Sequence, residues 1–299
     1  MNAPPFLKKL LLDPPALYAF EVSEAGLAAA RNDGSPQAAF HPLDSDVISV
    51  SPVRDNVLRM EALAAQVTAA TPRTDKKRRR AALIIPDYAV RVSVLDFDSF
   101  PTDTEQQQSL VRFRIKKSLP FELDSAGLSF YAQPSGKNGK GVDVVVAAAP
   151  LEILARYEQP FRAAGLHPGL VTTSTLAALE LVRGEGVYVL AKLSGRVLTL
   201  AVVRSGVLKL LRSIELSDGG GIAEVASHLY PTFAYVEDQL ATAPEKLIVC
   251  GFPRLAEELR EELAAEANLE IEPLRSRYGT PDQFNAGLLG YLESVEVSQ

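Results

Sequence analysis

The stretch GVYVLAKLSGRVLTLAVVRSGVLKLLRSIEL, residues 186–216, holds three runs rich in β-branched and aliphatic residues, separated by Ser-Gly-Arg and Arg-Ser-Gly turn signals. It runs into SDGGGIAEVASHLY (217–230), where Gly219, Gly220 and Gly221 stand before a segment with helical spacing. Glycines at a helix entrance let backbone N–H groups close on a phosphate. A strand meander that feeds a helix through a candidate phosphate loop is therefore the first expectation.

The first half of the chain repeats the theme. LYAFEV, GLAAAR and AAFHPL (17–43) alternate around the turn-rich SEAG and NDGSPQ and read as a second meander. VRDNVLRMEALAAQVTAA (53–70) has the spacing of an amphipathic helix, followed by the basic connection TPRTDKKRRR. RAALIIPDYAVRVSVLDFDSF reads as two strands parted at Pro86 and Asp87, and DTEQQQSLVRFRIKKSL (103–119) as a helix with Leu110, Phe113 and Ile115 as apolar contacts. LSFYAQP and VDVVVAAAP are strands joined by the polar SGKNGKG, and PLEILARYEQPFRAAGL (150–166) is a helix closed by Gly165. Later helices are expected at 221–241 and 254–267, around the strand KLIVCG (246–251). Strands alternating with helices, in two halves that each open on a meander, point to an α/β duplicated fold.

Composition narrows the function. With 299 residues, 47% hydrophobic and 23% charged, the chain can build an ordinary globular core. A net charge of −6 argues against a general nucleic-acid binder. One cysteine, Cys250, excludes an internal disulfide. The longest apolar stretches, such as VVVAAAPL (144–151), are about half the ~20 residues of a membrane-spanning helix. The proline-broken N-terminus lacks the apolar run of a secretion signal, so a soluble cytosolic chain is expected. His41, His167 and His228 are scattered, and neither a Gly-x-Ser-x-Gly elbow nor a P-loop lysine is present. No catalytic or metal-ligating set is expected. The basic run 76–80 reads as a solvated connection, with attraction to an anionic surface as its alternative.

The segment VRFRIKKSLPFELDSAGLSFY (111–131), with its basic helix ending in a Pro-Phe pair and an acidic turn, is followed by VVVAAAPLEILARYEQPFRAAGLHPGLV. Together these resemble the type IV pilus assembly protein PilM family, which has the actin-like fold shared with FtsA. The resemblance runs from about Leu17 to about Leu292 and is strongest between Leu110 and Leu179. It implies an actin-like (ribonuclease H-like duplicated) two-lobed fold with an inserted small α/β subdomain. The first lobe would take residues 1–81, the insert 82–165, the second lobe 166–279, and a C-terminal helix at 280–299 would return to the first lobe.

It also implies a nucleotide cleft whose loops are degenerate here. Glu21 and Ser23 of AFEVS stand where the family's first phosphate loop has aspartate and glycine, and Ala28 stands for its lysine. In KLS (192–194), Lys192 replaces a carboxylate that organises Mg²⁺, and Ser194 replaces a glycine. Gly219 and Gly220 match the Gly-Gly segment before the helix, and Gly251-Phe252 stands for the adenine-side Gly-Gly. Glycine permits close backbone approach to phosphate, and a lysine supplies no oxygen ligand to Mg²⁺. A remnant cleft without ATP hydrolysis is expected, with ATP and Mg²⁺ as the disfavoured cofactors. The function implied is a cytoplasmic scaffold at the inner membrane. It would grip the N-terminal segment of a PilN-like membrane protein and couple it to other pilus platform or motor proteins. The expected peptide groove lies between the first subdomain and the insert, near Phe113, Lys117, Pro120 and Phe121. The alternatives are a nucleotide-binding switch or ATPase, the cytoplasmic actin-like part of a type II secretion platform, and an FtsA-like filament protein. The last is disfavoured by the short acidic tail LESVEVSQ.

Overall fold

Among the described residues three β-sheets carry the chain, each formed where the sequence alternates between turn-rich breaks. The computed structural model describes residues 16–32, 36–71, 79–134, 141–218, 220–252, 256–263 and 269–296. In the first sheet, β1 (Tyr18–Val22), β2 (Gly26–Arg31) and β3 (Ala38–Pro42) form an antiparallel meander. β4 (Arg79–Ile85) then pairs parallel to β1, and β8 (Leu166–Thr173) parallel to β4, giving the order β3-β2-β1-β4-β8.

The second sheet repeats this plan. β9 (Val187–Ser194), β10 (Val197–Arg204) and β11 (Val207–Glu215) are the meander, and β12 (Lys246–Cys250) and β13 (Glu270–Pro273) extend it in parallel. Its order, β11-β10-β9-β12-β13, is the first sheet's order again. The duplication suggested by the two meanders is thus a duplication of topology. A third, antiparallel sheet, β5-β7-β6, is built from β5 (Arg91–Phe97), β6 (Ala126–Pro134) and β7 (Val142–Pro150).

Helices cover the faces that the strands leave apolar. α1 (Met60–Ala70) and α3 (Leu151–Ala163) cover one face of the first sheet, where Leu63, Val67, Tyr157 and Phe161 meet Phe20, Leu83 and Ile85. Phe20 and Phe161 pack as a tilted ring pair 5.0 Å apart. α5 (Ile222–Leu240) and α6 (Ala256–Glu262) cover the outer face of the second sheet. The inner faces of both sheets meet a shared core with α4 (Ser174–Ala178) and α7 (Ala286–Glu296), which contains Ala19, Ile84, Leu190 and Ile248. α2 (Thr104–Ile115) covers the third sheet with Val111 and Ile115.

Several expectations need correction. The helix foreseen from residue 53 begins only at Met60. Upstream of it, Ser51 N–H donates to Asn56 Oδ1 at 2.9 Å, Val57 N–H to Asp55 Oδ1 at 3.1 Å, and Leu58 N–H to the Val47 carbonyl at 2.9 Å. Short polar side chains there offer the backbone an alternative to helix, and the segment folds as a loop. Phe113 is not an apolar contact but is 78% exposed. With 3.6 residues per turn, Val111 and Ile115 share one face of α2 and Phe113 lies on the other. The strand pairing also puts β4 and β8 in the first sheet, so boundaries at 82 and 165 fall inside one first-sheet strand and just ahead of another.

The insert is fixed to the second lobe by buried polar contacts. Lys209 Nζ on β11 donates to Asp143 Oδ2 on β7 at 2.6 Å. The Gln133 side chain pairs with both backbone groups of Leu208, accepting from its N–H at 3.3 Å and donating to its carbonyl. α7 sits close to α4, because a Cβ at Gly290 would lie 2.2 Å from the Ala177 carbonyl oxygen. Gly290→Ala is therefore expected to lower unfolding free energy by about 1–3 kcal/mol, the usual cost of overpacking, as read in urea titration.

Candidate functional site: a filled cleft and an open groove

The cleft between the lobes is built on charged residues that strands deliver from both sides. Glu21, near the end of β1, is 2% exposed. Its Oε2 accepts the Leu288 N–H at 2.7 Å, and its Oε1 accepts the Ser174 hydroxyl. Burial raises the Glu21 pKa, an effect that the nearby Lys192 ammonium opposes. Lys192, on β9, is 1% exposed and donates to Asp87 Oδ2 at 3.3 Å. Burial alone would depress Lys192, but Asp87 and then Glu21 hold it above its ordinary value.

Asp87, in the single 3₁₀ turn that follows β4, is the hub. It accepts the Thr175 N–H and the Thr175 hydroxyl, both at 2.7 Å, and the Thr199 hydroxyl at 3.3 Å. Thr199 Oγ1 also lies 3.0 Å from Ser213 Oγ. Each charged oxygen thus has a donor, the condition under which charge survives burial.

The remaining cleft positions are satisfied within the chain. Ser23 Oγ donates to the Gly26 carbonyl at 2.9 Å, closing the β1–β2 turn. Ser194 Oγ donates to the Gln283 carbonyl at 2.8 Å. The Gln283 side chain then accepts from Gly195 N–H at 3.3 Å and donates to the Gly251 carbonyl at 3.1 Å. Gly251 has φ +83, and a Cβ there would lie 2.1 Å from the Leu193 carbonyl oxygen, so its glycine serves the backbone. Phe252 is buried in the second-lobe core. Gly219 lies outside the described residues; Gly220 N–H donates to the Ser217 carbonyl at 2.9 Å. Gly221 caps α5, and Glu224 three residues on reaches back to Ser217 N–H at 3.0 Å and to its hydroxyl at 2.7 Å. The Ser217 backbone bond holds the Glu224 carboxyl below its usual range, so the helix entrance carries its own anion.

Glu21, Ser23, Lys192 and Ser194 are therefore brought together, with Asp87 and Phe284, around a cavity of about 20 Å³. That is room for roughly one water. Gly220 and Gly251 do not line it. These residues do not fit a nucleotide with Mg²⁺. An ammonium stands in the place of an oxygen ligand, and in the second loop the Gly195 N–H and the Ser194 hydroxyl are already paired with Gln283. Cys250, its Sγ 3.3 Å from the Asp282 carbonyl oxygen, is buried, and its thiol is pushed up to about 12.

The open space lies elsewhere. A groove of about 330 Å³ runs between the insert and the first lobe. Gly127, Ser129, Val145 and Ala147 form one wall and Val171, Thr172 and Thr173 the other, with Ile85, Leu154 and Leu176 also on its surface. Among the described residues, none that lines it is charged. β6 and β8 are both edge strands of their sheets, so the groove lies between two sheet edges. Phe113, Lys117, Pro120 and Phe121 are absent from its lining. Alternation along β7 explains why: Val144 and Val146 point to α2, while Val145 and Ala147 serve the opposite face. Phe121 packs in the α2 cluster, and Phe113, Lys117 and Pro120 are exposed.

The residues that sequence reasoning missed are Asp87, read only as a turn, and Gln283. The partners of Asp87 lie 88–112 residues away and those of Gln283 32–89 residues away, so no local pattern reveals them. One signal was available: a lysine inside the apolar run VYVLAKLS demands a buried acid.

Two outcomes are expected. Lys192→Met strands Asp87 and should cost about 3–5 kcal/mol in chemical denaturation, the range for breaking a buried pair. Cys250 should resist a thiol reagent in native buffer and react once the chain is unfolded.

No protein-family model matches the chain, and no curated protein matches it in sequence. Solved structures do. The PilM–PilN type IV pilus biogenesis complex is similar at a TM-score of 0.76 and 17% identity, over 95% of this chain and 99% of that chain. A Bacteroides thetaiotaomicron protein of actin-like ATPase fold and unknown function gives 0.53 at 14% identity, over 86% and 89%. The cytoplasmic domain of EpsL, an inner-membrane component of the Vibrio cholerae type II secretion system, gives 0.52 at 12% identity, over 94% of each chain. The duplicated sheets with an inserted third sheet are the actin-like fold that the sequence resemblance implied.

Proposed function

We propose that this chain is a non-catalytic adaptor that holds an extended cytoplasmic segment of an inner-membrane protein in the groove between β6 and β8. The observation that carries the reading is the contrast between the two spaces. The nucleotide-type cleft is filled by the chain's own side chains, while the groove is roomy, uncharged and bounded by two sheet edges. An extended peptide can pair its backbone with a sheet edge and bury alternate apolar side chains. Small wall residues, Gly127, Ser129 and Ala147, leave space for such side chains, and a charged one would be buried unpaired.

The solved PilM–PilN complex supports a partner of the PilN kind, at the cytoplasmic face of the inner membrane in a type IV pilus machine. The likeness to the EpsL cytoplasmic domain supports a second reading, the corresponding place in a type II secretion platform. Either role needs a stable docking body rather than turnover. No helix among the described residues is long and apolar enough to cross a membrane.

The test uses a fluorescent synthetic peptide that copies the cytoplasmic N-terminal segment of a PilN-type membrane protein. Saturable binding is expected, weakened at least ~10-fold (about 1.4 kcal/mol) by Ser129→Trp, which fills the groove from an exposed edge strand. Phe113→Ala and Lys117→Ala should bind like the unaltered chain. Undiminished binding by Ser129→Trp would remove the groove from the account.

A further inference from the structure

The second sheet holds its two neighbours by one buried ion pair each. Lys209 reaches the insert through Asp143, and Lys192 reaches the first lobe through Asp87. The second pair is the more deeply buried, its side chains 1% and 3% exposed. Thr199 on β10 adds a second bond across the lobes to the same Asp87 oxygen, at 3.3 Å. On the first-lobe side, Thr175 fixes both Asp87 oxygens, and Ser174 and Leu288 fix Glu21. The acceptor geometry is thus set by one lobe and the donors come from the other. Around them the interlobe core is apolar. Without a cation between them, Asp87 and Glu21 would face each other as buried like charges.

We propose that Lys192 is a resident cation that keeps the two lobes closed around the cleft with no nucleotide and no metal. The residues do not fit a nucleotide with Mg²⁺, and in this view the misfit has a use: the ammonium pairs permanently with Asp87 and offsets part of the cost of burying Glu21 beside it. Closure becomes a property of the folded chain rather than a response to a ligand. Lys192 acts through Asp87 and is a positioning residue. The proposal goes beyond the peptide reading and stands or falls separately from it.

Paired nitroxide labels at Ala65→Cys on α1 and Asp238→Cys on α5, both exposed positions, report the interlobe distance by double electron–electron resonance. The buried Cys250, its thiol pushed up to about 12, stays unlabelled. One narrow distance distribution is expected for the ligand-free chain, and a longer, broader one for Lys192→Met with native circular dichroism. Lys192→Met that folds and keeps the narrow distribution would overturn the proposal. If Lys192→Met does not fold, Asp87→Asn decides, since it removes the charge that the ammonium meets and keeps the shape of the side chain. A broadened distribution in Asp87→Asn supports the tie, and an unchanged one contradicts it.

Discussion

The bond between Lys192 and Asp87 is the contact on which the arrangement of the two lobes turns. It draws β9 of the second sheet onto the turn that follows β4 of the first. Taking charges out of water is expensive, and attraction repays the cost only where geometry is good and every remaining donor and acceptor is met. Here Thr175, Thr199, Ser174 and the Leu288 N–H meet those needs. Such a network adds less to net stability than its individual bonds suggest, because most of their strength offsets desolvation. What it does add is discrimination: a relative placement of the lobes that stranded these groups would be penalised heavily. The close approach of α7 to α4 at Gly290 serves the same end, since α7 presents the Leu288 N–H to Glu21.

Filling the cleft and opening the groove are two sides of one division of labour. The positions that could receive phosphate are turned inward: Ser23 closes its own turn, Gln283 spans Gly195 and Gly251, and Glu224 occupies the entrance of α5. The groove has the opposite character. Its walls are mostly small or aliphatic, with Phe130 and Tyr131 among them, and β6 and β8 end their sheets there. A sheet edge inside a folded protein is normally covered or blunted. Two edges flanking an apolar trough are the feature on which the proposed strand-like guest rests.

The topology was legible in the sequence because it is written in local signals. Alternating runs and glycine turns located the meanders β1–β3 and β9–β11, and Pro86-Asp87 marked the break between β4 and β5. The start of α1 was not legible, because the side chains of Asp55 and Asn56 compete for the backbone over five or fewer residues while the apolar spacing stays helical. At the cleft, Lys192 stood out because it replaces a carboxylate of the resembled family, but its partner did not, since an acid in a turn is ordinary and pairing across 105 residues leaves no pattern. A groove between the first subdomain and the insert was expected, but its lining residues were not: Gly127, Ser129 and Ala147 matter by leaving room, which gives no local signal.

Titration calorimetry of the purified chain with Mg·ATP tests the central claim most directly, because it asks whether the cleft still admits the ligand its fold was built around. The account predicts no saturable heat up to millimolar nucleotide from a sample whose circular dichroism is native. Saturable binding at micromolar nucleotide, lost on Gly220→Glu, would mean that Lys192 and Gln283 yield to a ligand, and the closed-cleft account would be wrong.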